Sequence, residues 1–569
     1  MMTKGGGETI LLLADARDRA AWARAEARRD ALRAGGRRRV LLRDAGEMEA
    51  LFPRLADPGD AAGRGVRHLF ATQQRLFLSH FGVAEIRPLS PLSEGLAAFF
   101  GEAAPEIGLV RDEGAAPERD PGAKGDGVWV AVHDAATPAA KTSEAIARAC
   151  AEEGRRTTVW ETGVLRARVL LEDDDDAFVS AAGAGTALRE RIERRLDEEG
   201  VGTVLGLDLN WFLDATLFLD HPGIERVASL WFDDVKAWCQ ASYNTCFPGA
   251  AARLPAAIRH PKVLHCCYGR GQMEEMRLLG FENVKLSFLA APSEYLRCRE
   301  LPSSDSEVRG KAAFIGNPGL NIPPPPGLVA LLERGGDLDA VRALARETAL
   351  VFARSHFAAL IAKEPSVPAL FVHALEVRAR EPYAPAASIF RALGDRYPAA
   401  LAALNASGEI LNALLVVKMS NQFDRPALVH RLWRAGLLDV HSHPDAWRPY
   451  GIEARPDVPF HRLPEVYQHY LCHLNGSNAC RDATANEKLF EIAACGRVSV
   501  NLASPDVLAC YREGEIAAVS SLAEAEERVR GFLADPDTAL AFGERARRRT
   551  AAEHLWNHRL RGILPPPRP

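Results

Sequence analysis

Short apolar runs alternate with amphipathic segments along most of this 569-residue chain, and this alternation constrains the fold more than any other feature. Strands that alternate with helices of about 10–15 residues form parallel sheets with right-handed crossovers. In the first such region we predict helices at 140–154, 186–199 and 271–279. The predicted strands are 127–135, 157–160, 167–171, 202–209, 227–234, 262–267, 283–290 and 312–319. The fold class is therefore α/β.

Two further patterns divide the chain. The segment "NIPPPPG" (321–327) is typical of a stiff polyproline II spacer, and the apolar spacing from 328 to 412 is helical throughout. Strand–helix alternation then resumes, with "ILNALLVVKM" (410–419) predicted as a strand. The later strands are predicted at 437–442, 471–475, 497–502 and 516–520, and the helices at 425–435, 463–470, 484–495, 522–533 and 537–552.

The N-terminal region has its own strands. "TILLL" (9–13) and "RVLLR" (39–43) predict short buried strands around a helix at 17–34, and a further helix is predicted at 68–81. A polar, Gly- and Pro-rich stretch follows, which is typical of a linker. The predicted units are an accessory α/β unit, an N-terminal Rossmann-like half, a spacer with a helical insertion, and a C-terminal Rossmann-like half: 1–125, 126–320, 321–412 and 413–569.

Charge and cysteine content exclude several classes of protein. With 70 basic and 75 acidic residues the net charge is −5, which argues against a dedicated nucleic-acid binder. No apolar run approaches the roughly 18–20 residues that span a bilayer, and the N-terminus lacks a signal-peptide pattern, so we expect a cytoplasmic protein. The ten cysteines form no matched CxxC pairs, so we expect reduced thiols and no zinc site.

The most informative chemistry lies near the C-terminus. Lys488 and Glu491 stand three residues apart on a predicted helix that ends in a small-residue turn. A basic and an acidic side chain on one helix face can hold a phosphate and a sugar hydroxyl, which is the chemistry of a nucleotide-sugar site. The alternatives are an exposed carboxylate at Glu491 and a solvated ion pair between the two side chains.

A second cluster of cations surrounds "MSNQFD". Lys418 and Arg425 flank this segment at a predicted strand-to-helix turn, and Asn421 lies between them. Cations at a helix N-terminus form an anion site. Ordinary surface charge is the alternative interpretation.

An ordered set of phrases resembles a known family, the glycosyltransferases of the spore-coat maturation type, whose C-terminal half is the "glycosyl transferases group 1" type. The resemblance covers roughly 128–564. In the N-terminal half it depends on "LWFDD" (230–234), "MRLLGFENVKLSFLAAP" (276–292) and "AFIGNPG" (313–319). In the C-terminal half it depends on Asn475, Lys488, Phe490, Glu491, Ala494, Cys495, Gly496, Gly514, Glu515, Glu553, His554, Trp556 and Arg559. It implies a GT-B fold, in which two Rossmann-like halves face a cleft.

The resemblance also implies roles on the donor side. Glu491 would accept hydrogen bonds from ribose hydroxyls, Lys488 would meet the diphosphate, and Glu515 would face the sugar. Asn475 ends a strand at the cleft, with a simple turn former as the alternative. The family usually has Arg where Lys488 stands, and the insertion is large. Cations and helix N-termini can neutralise the leaving diphosphate, so we expect neither a metal nor a cofactor.

The acceptor's general base should lie at a strand end of the N-terminal half. Asp208, Asp233, Asp234 and His265 all meet this condition. Adjacent residues of a strand point to opposite faces, so only one of Asp233 and Asp234 can face the cleft. The alternatives are a helix N-cap for each Asp and a core histidine for His265.

We therefore expect a glycosyltransferase of hexosyl or N-acetylhexosaminyl type. It would move a sugar from a nucleotide-sugar donor, UDP-linked, to a hydroxyl or another nucleophile. Protein, glycan and small-molecule acceptors stay open. The alternative functions are an inactive GT-B binding module and a nucleotide-sugar epimerase on the same fold.

Overall fold

Three parallel sheets organise the chain, which is described by a computed structural model. The residues that the structure describes are 9–14, 39–44, 83–88, 127–132, 138–161, 192–208, 218–232, 257–298, 310–319, 324–476, 482 and 484–565. The first sheet has the order β2-β1-β3 and confirms the two predicted N-terminal strands. Its strands are β1 (Thr9–Ala14), β2 (Arg39–Asp44) and β3 (Val83–Pro88). The predicted helices at 17–34 and 68–81 lie outside the described residues.

The second sheet forms the N-terminal half. Its six parallel strands have the order β5-β4-β6-β7-β8-β9, and β6 is buried along its whole length, which explains its continuous apolar sequence. The strands are β4 (Gly127–Val132), β5 (Thr157–Glu161), β6 (Val201–Leu207), β7 (Arg226–Leu230), β8 (Val263–Cys267) and β9 (Val284–Leu286). Its helices are α1 (Pro138–Glu152), a helical stretch at 192–199, and α2 (Arg270–Leu278). The predicted strand at 167–171 lies outside the described residues.

The third sheet forms the C-terminal half, with five parallel strands in the order β11-β10-β12-β13-β14. The strands are β10 (Ala312–Ile315), β11 (Leu438–His441), β12 (Cys472–Asn475), β13 (Val498–Leu502) and β14 (Ala517–Val519). The sequence-based prediction that β10 belongs to the N-terminal half is wrong, because β10 pairs with β11 and β12. A strand is recognised locally, whereas its sheet is decided by distant partners. The α/β class and the two Rossmann-like halves are confirmed.

The insertion between β10 and β11 is helical, as predicted. Its helices are α3 (Leu328–Glu333), α4 (Leu338–His356), α5 (Ala358–Ile361), α6 (Val367–Arg380), α7 (Ala386–Ala392), α8 (Pro398–Ala406) and α9 (Ile410–Lys418). The strand predicted at 410–419 was wrong, since this segment is α9 followed by a 3-10 turn, Met419–Asn421. Nearly every residue of α9 is buried, so no polar face distinguished a helix from a strand in the sequence.

The remaining helices belong mostly to the C-terminal half. They are α10 (Asp424–Arg434), α11 (Pro444–Trp447), α12 (Leu463–His469), α13 (Glu487–Ala494), α14 (Pro505–Cys510), α15 (Leu522–Ala534), α16 (Pro536–Glu553) and α17 (Trp556–Leu560). The predicted boundaries place α17 in the C-terminal half, but this helix packs on the N-terminal half. The Trp556 ring stacks on Phe232, and Arg559 donates to the carbonyls of Phe288 and Leu289.

The N-terminus of α2 is capped by the other half of the protein. Asp506 accepts hydrogen bonds from the Arg270 backbone N–H (3.1 Å) and from its guanidinium (2.6 Å). The N-cap residue itself is Gly269, and a Cβ there would lie 1.7 Å from Cγ2 of Thr484. Only glycine permits so close an approach, so residue 269 of the N-terminal half packs directly against residue 484 of the C-terminal half.

Three buried ion pairs lie where the insertion meets both halves, and we call them the brace. Arg342 pairs with Asp424 (2.7 Å), Arg378 with Asp482 (2.9 Å), and Lys418 with Glu275 of α2: all six residues are buried. Buried charges persist when they are paired and hydrogen-bonded, because desolvation of a lone charge is costly.

Candidate functional site

The topological switch point of the C-terminal sheet lies at the carboxyl ends of β10 and β12, and we call this position the crevice. In the strand order β11-β10-β12, the strands that follow β10 in the chain lie on both sides of it. Open α/β sheets bind ligands at the position where the strand order reverses in this way. Arg425, in the first turn of α10, donates to the carbonyls of Gly476 (2.9 Å) and Asn317 (3.0 Å). These carbonyls follow β12 and β10, so the Arg425 guanidinium lies at the switch point.

A buried amide network supports this edge of the sheet. Asn475, at the end of β12, donates to Oδ1 of Asn486 (3.0 Å) and to Oδ1 of Asn501 (2.9 Å). Asn486 donates back to Asn475 (2.9 Å) and, as the N-cap of α13, accepts from the Leu489 N–H (3.2 Å). The Asn475 side chain therefore fixes the start of α13. A direct contact of Asn475 with the nucleotide-sugar donor stays a prediction.

Helix α13, the Glu491 helix, has an apolar and a polar side. Leu489 and Phe490 are buried, whereas Lys488 and Glu491 keep exposed surface. The Lys488 ammonium lies 3.7 Å from the Glu487 carboxylate, so Lys488 pairs with its neighbour and not with Glu491, which was the alternative interpretation. Lys488 remains close enough to Glu491 to favour ionisation of that carboxyl group.

The carboxyl group of Glu491 is enclosed by protein although the residue keeps some exposed surface. The Tyr467 hydroxyl of α12 donates to its Oε2 at 2.8 Å. Tyr295, from a 3-10 turn of the N-terminal half (Ser293–Arg297), also lies near this carboxylate. Burial raises the pKa of Glu491 to about 7, against the opposing effects of Lys488 and the Tyr467 hydrogen bond. A perturbed acid between two halves is a candidate functional group.

Glu515 is engaged in its own turn. Its carboxylate accepts from the Arg512 N–H at 2.7 Å, and Gly514 between them has φ of 84°. The Gly514 carbonyl in turn accepts from Arg545 of α16 (2.6 Å). The contact of Glu515 with a sugar stays a prediction.

Lys418 and Asn421 do not belong to the crevice. Lys418 ends α9 and pairs with Glu275 in the brace, whereas Asn421 donates to the Pro382 carbonyl (3.0 Å) and accepts from Arg378 (3.3 Å). The anion site predicted around these residues was wrong because it assumed that 410–419 is a strand. Arg425 is the member of that cluster that reaches the crevice.

Asp208 is the described candidate base that lies at a strand end. It follows β6, its Oδ1 accepts from the Phe232 N–H (2.8 Å), and its φ is 52°. Positive φ is uncommon for residues other than glycine, and such strained positions cluster at functional sites. Asp233 and Asp234 lie outside the described residues, so their role stays a prediction.

His265 is a core histidine, which corrects its prediction as a base. It is fully buried in β8, where Nδ1 accepts from Trp231 (3.3 Å) and Nε2 lies 2.9 Å from the Ile258 carbonyl. Burial lowers the pKa of His265 to about 4. Both ring nitrogens are engaged, so the side chain cannot take a proton from an acceptor in the cleft.

Three contributors to the site were missed from the sequence. Asn486 could have been found, since Asn three residues before an apolar helix position is a common N-cap pattern. Tyr467 and Tyr295 had no such signal, because their proximity to Glu491 depends on tertiary packing.

Comparisons with known proteins bear on the region that contains Arg425 and Glu491. Residues 425–565 match the family model described as "Glycosyl transferase-like". This region is a glycosyltransferase-like domain. It includes strands β11 to β14, helix α13 with Glu491, and helix α17, which packs on the N-terminal half. No curated protein sequence gives a significant match to the chain.

Two solved structures are similar to this chain at low sequence identity. Sucrose-phosphate synthase from Thermosynechococcus elongatus is 11% identical with a TM-score of 0.37, and the match covers 77% of this chain and 96% of that chain. A glycosyltransferase from Rickettsia africae is 8% identical with a TM-score of 0.36, and the coverage is again 77% and 96%.

Within the part of the chain that the structure describes, no group of three or more His, Cys, Asp or Glu residues could hold a metal ion. No single described helix is long and apolar enough to cross a membrane, although the bent pair Pro398–Ala406 and Ile410–Arg434 has sufficient length and apolar composition when taken together.

Proposed function

We propose that the protein is a glycosyltransferase that moves a hexosyl or N-acetylhexosaminyl group from a nucleotide-sugar donor, UDP-linked, to a hydroxyl or other nucleophile of a protein, glycan or small molecule. The observation that carries the proposal is the position of Arg425. It lies in the glycosyltransferase-like domain, between the carboxyl ends of β10 and β12. A guanidinium at the switch point of a Rossmann-like sheet is suited to a diphosphate.

The donor would bind along the Glu491 helix and this crevice. Lys488, in the first turn of that helix, and Arg425 supply positive charge to the diphosphate, and the helix N-terminus adds its partial positive charge. Glu491 accepts the ribose hydroxyls. These groups supply the stabilisation without a metal ion, so we propose metal-independent transfer by a cytoplasmic enzyme.

The transfer step breaks the bond between the anomeric carbon and the diphosphate oxygen. The electron pair leaves with the nucleoside diphosphate, which Arg425 and Lys488 stabilise. The acceptor oxygen forms the new bond to the anomeric carbon, and its proton goes to a carboxylate of the N-terminal half. Asp208 is our first candidate for that base, with Asp233 or Asp234 as the alternative.

The test is release of nucleoside diphosphate from UDP-glucose, UDP-N-acetylglucosamine and GDP-mannose by the purified protein. We expect release with one of them, and a fall of about 100-fold in Arg425→Lys, which keeps the charge but loses the planar fork. The control is Arg434→Lys, an exposed residue at the other end of α10, which should behave like the unaltered protein.

Other outcomes would identify the rival functions. Thermal stabilisation by a nucleotide sugar without turnover would indicate a binding module. Conversion of the sugar to its epimer without diphosphate release would indicate an epimerase. Absence of both binding and turnover with every donor would contradict the proposal.

A further inference from the structure

The Glu491 carboxylate is held from one side. Its Oε2 accepts the Tyr467 hydroxyl at 2.8 Å. Among the residues that the structure describes, none donates a hydrogen bond to the other carboxylate oxygen, Oε1. A carboxylate has about four acceptor sites, so a group enclosed this far retains capacity for a ligand. The unused oxygen defines where that ligand should bind.

Tyr467 is itself firmly fixed. The side chain is fully buried, its ring packs edge-to-face on His473 with centroids 5.4 Å apart, and its carbonyl lies 2.9 Å from Nε2 of His473. Burial and the neighbouring Glu491 raise the pKa of the Tyr467 hydroxyl well above its usual value. It therefore keeps its proton and acts as a donor to Glu491 over the whole working range of pH.

We propose that Tyr467 is a positioning residue for the donor. Its hydrogen bond orients the Glu491 carboxylate so that Oε1 accepts a ribose hydroxyl, and it thereby gives the site a preference for ribonucleotides over 2′-deoxyribonucleotides. This inference rests on the proposed function, because it requires a nucleotide at Glu491. The preference arises because a fixed acceptor is left unpaired when the ligand lacks its hydroxyl.

Tyr470 provides a matched control on the same segment of chain. It is also buried, and its hydroxyl donates to Asp439 (3.0 Å) and lies 3.0 Å from Nε2 of His441. Tyr470→Phe thus removes a buried phenol hydroxyl three residues away without altering the hydrogen bond to Glu491. A general loss of packing or stability should affect both variants alike.

The experiment is calorimetric titration of the full chain with UDP, GDP and ADP and with the 2′-deoxy form of each. For the nucleotide that binds, we expect the ribose form to bind about 10-fold or more tightly than the deoxy form. Tyr467→Phe should weaken binding of the ribose form by about 10-fold and leave the deoxy form unchanged, so that the preference is lost. Tyr470→Phe should retain it.

Contrary outcomes are separable. Failure of the unaltered protein to bind any nucleotide would overturn the proposed function. Binding of nucleotide with an intact ribose preference in Tyr467→Phe would overturn only the role of Tyr467. Should Tyr467→Phe fail to fold by circular dichroism, Glu491→Met decides: a ribose preference that survives without any acceptor at position 491 overturns the inference.

Discussion

The brace and the surroundings of Glu491 both bury carboxylates between parts of the fold, but they satisfy them differently. In the brace, Glu275, Asp424 and Asp482 each have a Lys or Arg partner. Glu491 instead accepts one hydrogen bond from a phenol, and Lys488, on the same helix, pairs with Glu487. The acids in the brace are matched by charge, whereas Glu491 is not.

This difference separates carboxylates that stabilise the fold, in the brace, from a carboxylate that is suited to bind a ligand, Glu491. A buried acid that is paired with a cation has little further capacity to bind, and its partner offsets part of its cost of desolvation. An enclosed acid without such a pair destabilises the fold in its ionised form, which is tolerated where a ligand uses it. Three changes would break or sharpen the comparison.

The largest effect is expected from Lys418→Met in the brace. It leaves the buried Glu275 carboxylate without its ammonium partner, which should lower the free energy of unfolding by about 3–5 kcal/mol. Chemical denaturation followed by circular dichroism measures the change. Since the pair joins α9 to α2, the loss should be cooperative across the molecule.

The control for that experiment is the double variant Lys418→Met with Glu275→Met. Removing both charges should restore most of the lost stability, because an apolar pair of similar volume replaces the ion pair. A double variant less stable than Lys418→Met would contradict the interpretation of this pair as mutual charge compensation.

An intermediate effect of opposite sign is expected from Glu491→Gln. The pKa of Glu491 is raised to about 7 in the folded protein, so the folded state holds more protons than the unfolded state between the ordinary carboxyl pKa and this value. The contribution of Glu491 to stability therefore falls as pH rises through this window. At about pH 8 the amide should stabilise the protein by roughly 1–3 kcal/mol, and at about pH 4 by almost nothing.

Thermal unfolding at the two pH values measures this difference. Glu544→Gln, on the exposed side of α16, is the matched control and should show no such dependence on pH. A stabilisation by Glu491→Gln that is equal at both pH values would show that the enclosed charge is not its cause.

The smallest effect on stability is expected from Lys488→Met. Its ion pair with Glu487 is partly exposed, so the free energy of unfolding should change by less than about 1 kcal/mol. The affinity for a nucleoside diphosphate should nevertheless fall by about 10-fold, because a positive charge beside the diphosphate is lost. Titration with UDP checks this, and Lys488→Arg should restore binding. Unchanged affinity in Lys488→Met would remove this residue from the proposed site.

Local patterns were sufficient for most elements of both halves. The strands from β6 to β8 and from β11 to β14 fall within a few residues of their predicted positions, since short apolar runs bounded by turns are local signals. Helix α9 was missed because its residues are buried on every side. The assignment of β10 failed because sheet membership depends on partners more than a hundred residues away.

The sequence by itself determined the α/β class and the position of Lys488 and Glu491 on one short helix. Helical spacing and the small-residue turn are encoded within about ten residues. Only the tertiary structure decided which charges are structural, because each partner is remote in sequence: Lys418 of the insertion meets Glu275 of the N-terminal half, and Tyr467 meets Glu491 from another helix. Burial and pairing set the electrostatics of a side chain, and both are properties of the folded chain.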